Sequence, residues 1–156
     1  MILKFGVIEV TWRTRIGTDY THLQLNLDKR QFQACFITLG PCRNAIKNLR
    51  LFFAADGTHT RSRYRMILLL LVGLGANEKV IPLAWALVPG ENITWWNYFL
   101  GHCKKAFPIL SDEESKAMLV FISDRDKRIK DAVESVFPLA KHAHCCQHIA
   151  ENIRVQ

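Results

Sequence analysis

The sequence predicts an α/β fold built on a mixed five-stranded sheet with flanking helices. One observation is a series of short apolar runs ending in polar residues, which is typical of strands buried on both faces. The other is apolar residues at helical spacing between the later runs. The chain has 156 residues, 49% of them hydrophobic, so it can bury one sizeable core.

Three strands are predicted at residues 51–55, 66–74 and 80–88. Residues 75–79 have hairpin-loop composition, so the second and third strands should be antiparallel neighbours. Pro82 cannot donate to a ladder, which predicts that the third strand lies at a sheet edge.

The rest of the core alternates between helices and strands. A helix is predicted over 94–107, with Thr94 as its cap and Pro108 as its stop. A fourth strand (118–123), a second helix after it, a fifth strand (140–145) and an amphipathic piece (147–153) follow. Helical crossovers lay successive strands parallel, and only the free side of the first strand can accept the fourth. The predicted strand order is therefore 3-2-1-4-5.

The first fifty residues give weaker signals. Residues 21–27 alternate as in a strand, and residues 29–38 suggest a helix before Gly40-Pro41. We therefore expect residues 1–50 to form a partly ordered lead-in segment. Residues 51–156 would form the core, which we expect to be incomplete at its C-terminus.

Two aspartates close the first and fourth predicted strands. Asp56 and Asp124 would lie at the carboxyl ends of parallel neighbours about 4.8 Å apart, where the strand order reverses and open sheets bind ligands. Two carboxylates this close favour a bound cation, and Mg²⁺ prefers carboxylate and phosphate oxygens. Separately, each aspartate could instead be a strand terminator or a helix N-cap. Together they predict a divalent-metal site for phosphodiester chemistry.

Charge and cysteine content restrict the protein class. The net charge of +7 suits an anionic partner such as nucleic acid. Five cysteines in this length lack the density of a secreted disulfide scaffold and fit a reduced, intracellular protein. The most apolar run, 66–76, is about half the roughly 20 residues that a membrane-spanning helix needs, so no membrane partner is expected.

Several short motifs occur in an order that resembles the Mutator-like element (MULE) transposase domain. The resemblance covers about residues 51–153. Its residues are Asp56-Gly57-Thr58-His59, Ile81-Pro82-Leu83-Ala84, Glu91 with Trp95, Ser123-Asp124-Arg125, Phe137-Pro138, His142, Cys145-x-x-His148 and Asn152.

The resemblance implies a ribonuclease-H-like fold and a DDE transposase mechanism. Three acids of that family hold two divalent metals, Mg²⁺ or Mn²⁺, and Asp56 and Asp124 match the first two. The family's third acid is a glutamate further downstream than the Cys-x-x-His motif, where this chain offers only Glu151. We therefore expect a fragment or decayed copy that is inactive alone.

The remaining family residues are expected to support the site. By resemblance, His59, Glu91 and Trp95 belong to this supporting group, as do Cys145, His148 and Asn152. Cys145 and His148 have the spacing of a zinc half-site, but no second pair stands at zinc-finger spacing, so zinc is not expected. Core packing is expected for Trp96, although both tryptophans could offer a stacking platform for bases.

Basic residues flank both aspartates. Each could be a solvated surface residue, but together they could contact a DNA backbone without reading its sequence. The candidates are Arg61, Arg63 and Arg65 after Asp56, and Arg125, Lys127 and Arg128 after Asp124.

Three functions remain open. The first is a transposase catalytic core that acts in the nucleus on transposon ends and target DNA, with homo-oligomerisation of the full-length protein left open. The second is a domesticated relative that binds DNA as a regulator without cutting it. The third is another nuclease or polynucleotidyl transferase on the same fold.

Overall fold

An eight-stranded mixed sheet forms the framework of the protein. The computed structural model describes residues 5–10, 13–14, 17–26, 29, 31–61 and 63–146. The strands of the sheet are β1 (Phe5–Val10), β4 (Tyr20–Asn26), β5 (Gln31–Thr38), β6 (Leu49–His59), β7 (Ile67–Gly75), β8 (Val80–Val88), β9 (Val120–Ser123) and β10 (Lys141–His144). Their spatial order is β1-β4-β5-β8-β7-β6-β9-β10, and β2 (Arg13–Thr14) pairs separately with β3 (Gly17–Thr18).

Four helices accompany these strands in the described part of the chain. They are α1 (Gly40–Ala45), α2 (Ile93–Ala106), α3 (Glu113–Lys116) and α4 (Lys127–Val136), with 3-10 turns at Ile46–Asn48 and Pro108–Leu110. The predicted piece at 147–153 lies outside the described residues.

The sheet is larger than the five strands predicted, because the first fifty residues contribute to it. β6 to β10 are the five strands predicted from the sequence, and β5, β4 and β1 extend the sheet beyond β8 through antiparallel pairs. The prediction of a helix over residues 29–38 is wrong. The segment contains β5, where Ala34, Phe36 and Thr38 are fully buried and alternate with more exposed residues. Pairing with β4 on one side and β8 on the other imposes the alternation of buried and exposed residues that is typical of a strand. Local sequence preferences do not predict such long-range pairing.

The position of β8 also corrects the sequence analysis. Pro82 predicted an edge strand, yet β8 is internal, because residues 85–87 pair with residues 35–37 of β5. Pro82 lies before this paired stretch, next to a register shift opposite Leu71 and Val72 of β7. Pro82 is paired with Val72 of β7 but has no partner in β5, so the missing N–H of proline leaves only the first half of β8 without a second neighbour.

One face of the sheet carries the hydrophobic core. Phe53 and Ala55 of β6, Leu69 and Leu71 of β7 and Phe121 of β9 are at most 2% exposed. Helix α2 packs against α4 and against β5 and β8. It buries Trp96, Phe99, Leu100 and Cys103, which recur at helical spacing, and α4 buries Ile129, Ala132 and Val133 in the same way. Full burial of each large apolar side chain contributes about 1.5–3 kcal/mol before its ordering cost.

Helix α2 starts at Ile93, one residue earlier than predicted, and its cap lies two residues earlier than Thr94. The side chain of Asn92 accepts a hydrogen bond from the backbone N–H of Trp95 at 3.1 Å, so Asn92 is the cap. The prediction that Thr94 caps the helix is wrong, since Thr94 already lies inside the first turn. Asn is at least as good a cap as Thr, and it comes first in the chain.

None of the helices in the described part of the chain is long and apolar enough to cross a membrane. The apolar run at 66–76, predicted as a core strand, forms β7.

Candidate functional site

Asp56 lies in β6, and Asp124 directly follows β9, the parallel neighbour of β6. The last paired residues of β6 and β9 are Ala54 and Ile122. Two further residues along each chain lead to Asp56 and Asp124. Both aspartates line one cleft together with Ala54 and Ile122, so their side chains share the face that carries those two residues. This face is opposite to the one that packs against α2 and α4.

The sequence predicted that Asp56 ends its strand, and this prediction is wrong. β6 continues to His59 because its hairpin with β7 pairs Asp56 with Leu70 and His59 with Ile67. On the other side, pairing with β9 ends at Ala54. Beyond Ala54, β6 continues its pairing with β7, while β9 ends at Ser123.

A cleft of about 250 Å³ lies over the end of this ladder and extends across β6 to β7. Such a volume accommodates a cation with several waters, since one water takes about 30 Å³. Asp56 is exposed and Asp124 is partly buried. The lining residues are Ala54, Ala55, Asp56, Leu70, Val72, Ile122, Ser123, Asp124 and Cys145.

Local hydrogen bonds orient both carboxylates. The Oδ1 atom of Asp56 accepts the backbone N–H of Gly57 at 2.9 Å. The Oδ1 atom of Asp124 accepts the backbone N–H of Asp126 at 3.0 Å. Each bond fixes one carboxylate oxygen and lets the other oxygen turn toward a ligand.

Asp124 is not the N-cap of the following helix. Asp126 holds that position, and its side chain accepts the backbone N–H of Arg128 at 2.8 Å. The reading of Asp124 as a helix cap is therefore wrong. Its conformation follows from the short turn between β9 and α4.

Ser123 of β9 and His142 of β10 stabilise the turn that carries Asp124. The Ser123 hydroxyl donates to the carbonyl of Asp124 at 2.8 Å and lies 2.9 Å from Nε2 of His142. Nδ1 of His144 lies 3.4 Å from the same carbonyl. Burial lowers the pKa of His142, with His144 and Lys130 adding to the shift and Glu134 and Asp124 opposing it. A neutral His142 with its proton on Nε2 can donate to Ser123.

Cys145 reaches the cleft directly. Its backbone N–H donates to the carbonyl of Ser123 at 2.7 Å, which continues the pairing of β10 with β9. All five cysteines are free thiols. His148 and Asn152, the other two members of the predicted motif, lie outside the described residues.

Glu91 lies on the helix side of β6, opposite to Asp56. A Cβ atom on Gly57 would stand only 3.1 Å from Oε1 of Glu91, so the missing side chain of Gly57 leaves room for this carboxylate. Partial burial raises the pKa of Glu91; the Asp126 and Asp124 carboxylates add to the rise, and Arg128 and His59 oppose it. Glu91 and His59 are therefore close to each other on the side of β6 that faces the helices, and the cleft lies on the opposite side.

Arg128 joins this rear cluster to the turn that carries Asp124. Its Nε atom lies 2.8 and 2.9 Å from the two carboxylate oxygens of Asp126, and Nη2 contacts the same carboxylate. Its Nη1 atom donates to the backbone carbonyl of Glu91. The contact with Arg128 lowers the pKa of Asp126. Arg128 therefore connects two segments of the protein, although 47% of its side chain is exposed.

The other predicted basic residues lie at the surface of the protein. Arg61, Arg63 and Arg65 are exposed in the connection from β6 to β7, and Arg125 and Lys127 are exposed beside Asp124. In the chain, Arg61, Arg63 and Arg65 follow Asp56, and Arg125 and Lys127 follow Asp124. Their contact with a DNA backbone stays a prediction.

The two neighbouring tryptophans have different surroundings. Trp96 is fully buried, which confirms the prediction of core packing. Trp95 is partly buried and makes an edge contact with Tyr98, with ring centroids 5.6 Å apart. Trp95 follows the cap of α2 on the Glu91 side and does not line the cleft.

Within the residues that the structure describes, no group of three or more His, Cys, Asp or Glu side chains is arranged to hold a metal ion. The acids at the cleft are therefore a pair of carboxylates.

Comparison with known families decides the relationship of the chain. The family model of the MULE transposase domain matches residues 52–152, about two thirds of the chain. The chain belongs to this family. The match begins in β6 and includes both aspartates of the MULE domain, Glu91 and Arg128. No curated protein matches the chain.

Sequence reasoning missed two supporting groups of this MULE domain. Asp126 stands one position before an amphipathic helix, which is a signal for the cap that was assigned to Asp124 instead. The contact between Ser123 and His142 depends on the register of β9 with β10, which pairs Phe121 with His142. The sequence indicates two adjacent strands there but does not determine their register.

Proposed function

We propose that this MULE domain is the catalytic core of a DDE transposase with a ribonuclease-H-like fold. In this proposal it supplies two of the family's three metal-binding acids to a transposase that cuts DNA at transposon ends and joins those ends to target DNA. The observation that carries the proposal is that Asp56 and Asp124 line the same cleft, where the parallel ladder of β6 and β9 ends. Because its DNA substrate is chromosomal, the protein would act in the nucleus.

The donor set fits a hard divalent cation. Two carboxylates facing one cleft provide the oxygen ligands that Mg²⁺ and Mn²⁺ prefer, and the remaining positions would be taken by water and DNA phosphate. Without a cation, two adjacent carboxylates repel each other and one tends to take up a proton. Bound metal would supply Lewis-acid activation of the phosphate and of the attacking oxygen.

The residues of the chain position the reacting groups. Asp56 and Asp124 would hold the metal on the rim of the sheet. Arg61, Arg63 and Arg125 would contact backbone phosphates on either side, since arginine recognises phosphate through two parallel hydrogen bonds. Such contacts fix the DNA over the cleft without reading its sequence.

Affinity for DNA with and without metal tests the proposal. We compare the wild type with Asp56→Asn on a short duplex, at constant ionic strength, with EDTA or with Mg²⁺. In EDTA the variant should bind DNA more tightly, because one negative charge near the phosphates is removed. With Mg²⁺ the order should reverse, and the variant should bind about tenfold more weakly, because it loses a metal contact to the DNA.

A charge-matched control separates this effect from general electrostatics. Glu78 is exposed in the turn between β7 and β8, at the opposite rim of the sheet. Glu78→Gln should keep the wild-type response to Mg²⁺. If Asp56→Asn also keeps the wild-type response, the metal site is contradicted. The domesticated DNA-binding regulator would then explain the domain better.

A further inference from the structure

We propose that Arg128, together with Asp126 and the backbone of Glu91, positions Asp124 opposite Asp56. We call these three residues the rear clasp. This inference rests on the proposed metal site, because it concerns the spacing of its two carboxylates.

The need for such a device follows from the sheet. The ladder between β6 and β9 ends at Ala54 and Ile122, two residues short of each aspartate. Beyond that point the strands no longer hydrogen-bond to each other in the described register. Asp124 lies in a three-residue connection between β9 and α4, so its distance from Asp56 depends on contacts outside the ladder.

The rear clasp supplies these contacts on the face opposite to the cleft. The guanidinium of Arg128 donates to both carboxylate oxygens of Asp126. The backbone N–H of Asp126 in turn donates to the carboxylate of Asp124 at 3.0 Å. The same guanidinium binds the carbonyl of Glu91, and the carboxylate of Glu91 fits against Gly57, the residue after Asp56. A continuous chain of contacts therefore runs from the neighbour of Asp56 to Asp124.

The planar guanidinium is suited to this role. It binds a carboxylate with two donors and a carbonyl with a third, which fixes relative orientation as well as distance. A lysine would keep the charge but would have to hold the same groups with one compact ammonium. Charge and geometry can therefore be separated by substitution.

Mn²⁺ affinity of the intact chain, measured by calorimetry, tests the rear clasp. Arg128→Lys preserves the charge, so electrostatics alone predicts no change in Mn²⁺ affinity. The rear clasp predicts weaker binding by about tenfold, as for other residues that orient metal ligands. Arg128→Gln should also weaken binding. The matched control Lys127→Gln removes a charge from the same helical turn and should strengthen Mn²⁺ binding slightly.

Two further measurements assign the cause of any change. Thermal unfolding without metal shows whether a variant is folded, and a variant whose Tm matches the wild type but whose Mn²⁺ affinity is lower supports positioning. The rear clasp is overturned if Arg128→Lys binds as the wild type does, or if Arg128→Gln binds more tightly, as the control does. If Asp56→Asn leaves Mn²⁺ binding of the wild-type chain unchanged, the metal site itself fails, which is a distinct result.

Discussion

At the scale of single residues, two carboxylates and their neighbours define the candidate site. Asp56 and Asp124 were identified from the sequence because each follows an apolar run. The structure adds that both residues line the same cleft. The sequence did not indicate that Glu91 lies behind β6, because its position depends on the missing side chain of Gly57.

The basic residues beside the cleft give a prediction for DNA binding. Arg125→Gln should lower the slope of log affinity against log salt concentration by about 0.9, because one phosphate contact is lost. Lys79→Gln is the matched control. Lys79 is exposed in the turn between β7 and β8, at the opposite rim, and its loss should leave the slope unchanged. Equal effects of the two substitutions would show that DNA does not pass over the aspartates.

At the scale of elements, local signals determined the type of most helices and strands. The strands from β6 to β10 and the helices α2 and α4 were predicted because their apolar residues have clear periods. β5 was predicted as a helix because partners on both sides, and not its own composition, impose its conformation. Edge or internal position could not be derived for β8, since it depends on whether another strand pairs with it.

The cap of α2 can be tested by a pair of substitutions. Asn92→Ala should destabilise the protein by about 1 kcal/mol, because the N–H of Trp95 loses its acceptor. Thr94→Ala should cost less, since Thr94 is not the cap. Urea unfolding of the two variants measures the difference. A larger loss for Thr94→Ala would support the cap that was expected from the sequence.

Alanine substitutions at two glycines should change the stability of the protein in opposite directions. In Gly73→Ala the new Cβ would stand 2.7 Å from Cδ1 of Leu49 in the core, and the overpacking should cost about 1–3 kcal/mol. In Gly101→Ala the new methyl meets nothing within 4 Å and lies inside α2, so the variant should gain about 1 kcal/mol. Chemical unfolding tests both, and a loss of stability in Gly101→Ala would contradict the described environment of α2.

At the scale of the whole molecule, a buried histidine couples stability to pH. His102 is 6% exposed. Its Nδ1 atom is 3.0 Å from the hydroxyl of Tyr20, and its ring centroid is 3.9 Å from that of His22. Burial lowers the pKa of His102 to about 3, and His22 and Lys105 add to the shift. The ordinary value of 6.5 applies in the unfolded chain.

The folded-state pKa lies below the unfolded one, so the unfolded chain binds more protons between pH 6.5 and 3. The stability that neutral His102 contributes is complete above pH 6.5 and is lost as pH falls toward 3. The urea midpoint should therefore fall from pH 7.5 to pH 5, and it should fall less in His102→Gln. Equal decreases in the two proteins would show that other groups control the acid response.

The extent of the sheet was the main feature of the whole molecule that the sequence did not indicate. Residues 1–50 were expected to be a partly ordered lead-in, whereas β1, β4 and β5 belong to the same sheet as the strands of the site. Long-range pairing decides this, and local patterns carry little information about it. The relation of β6 to β9 was predictable, because it follows from the crossover connection between them.

The central claim is that Asp56 and Asp124 bind the same cation. A double-mutant cycle on Mn²⁺ binding, measured by calorimetry with Asp56→Asn, Asp124→Asn and the double variant, tests it most directly. If the two residues share one ion, each single substitution should weaken binding by at least about tenfold. The double variant should then be little weaker than either single one, because the two losses are coupled. A single substitution without effect on Mn²⁺ binding, or two ions of which each substitution removes a different one, would show that the two carboxylates do not form one site.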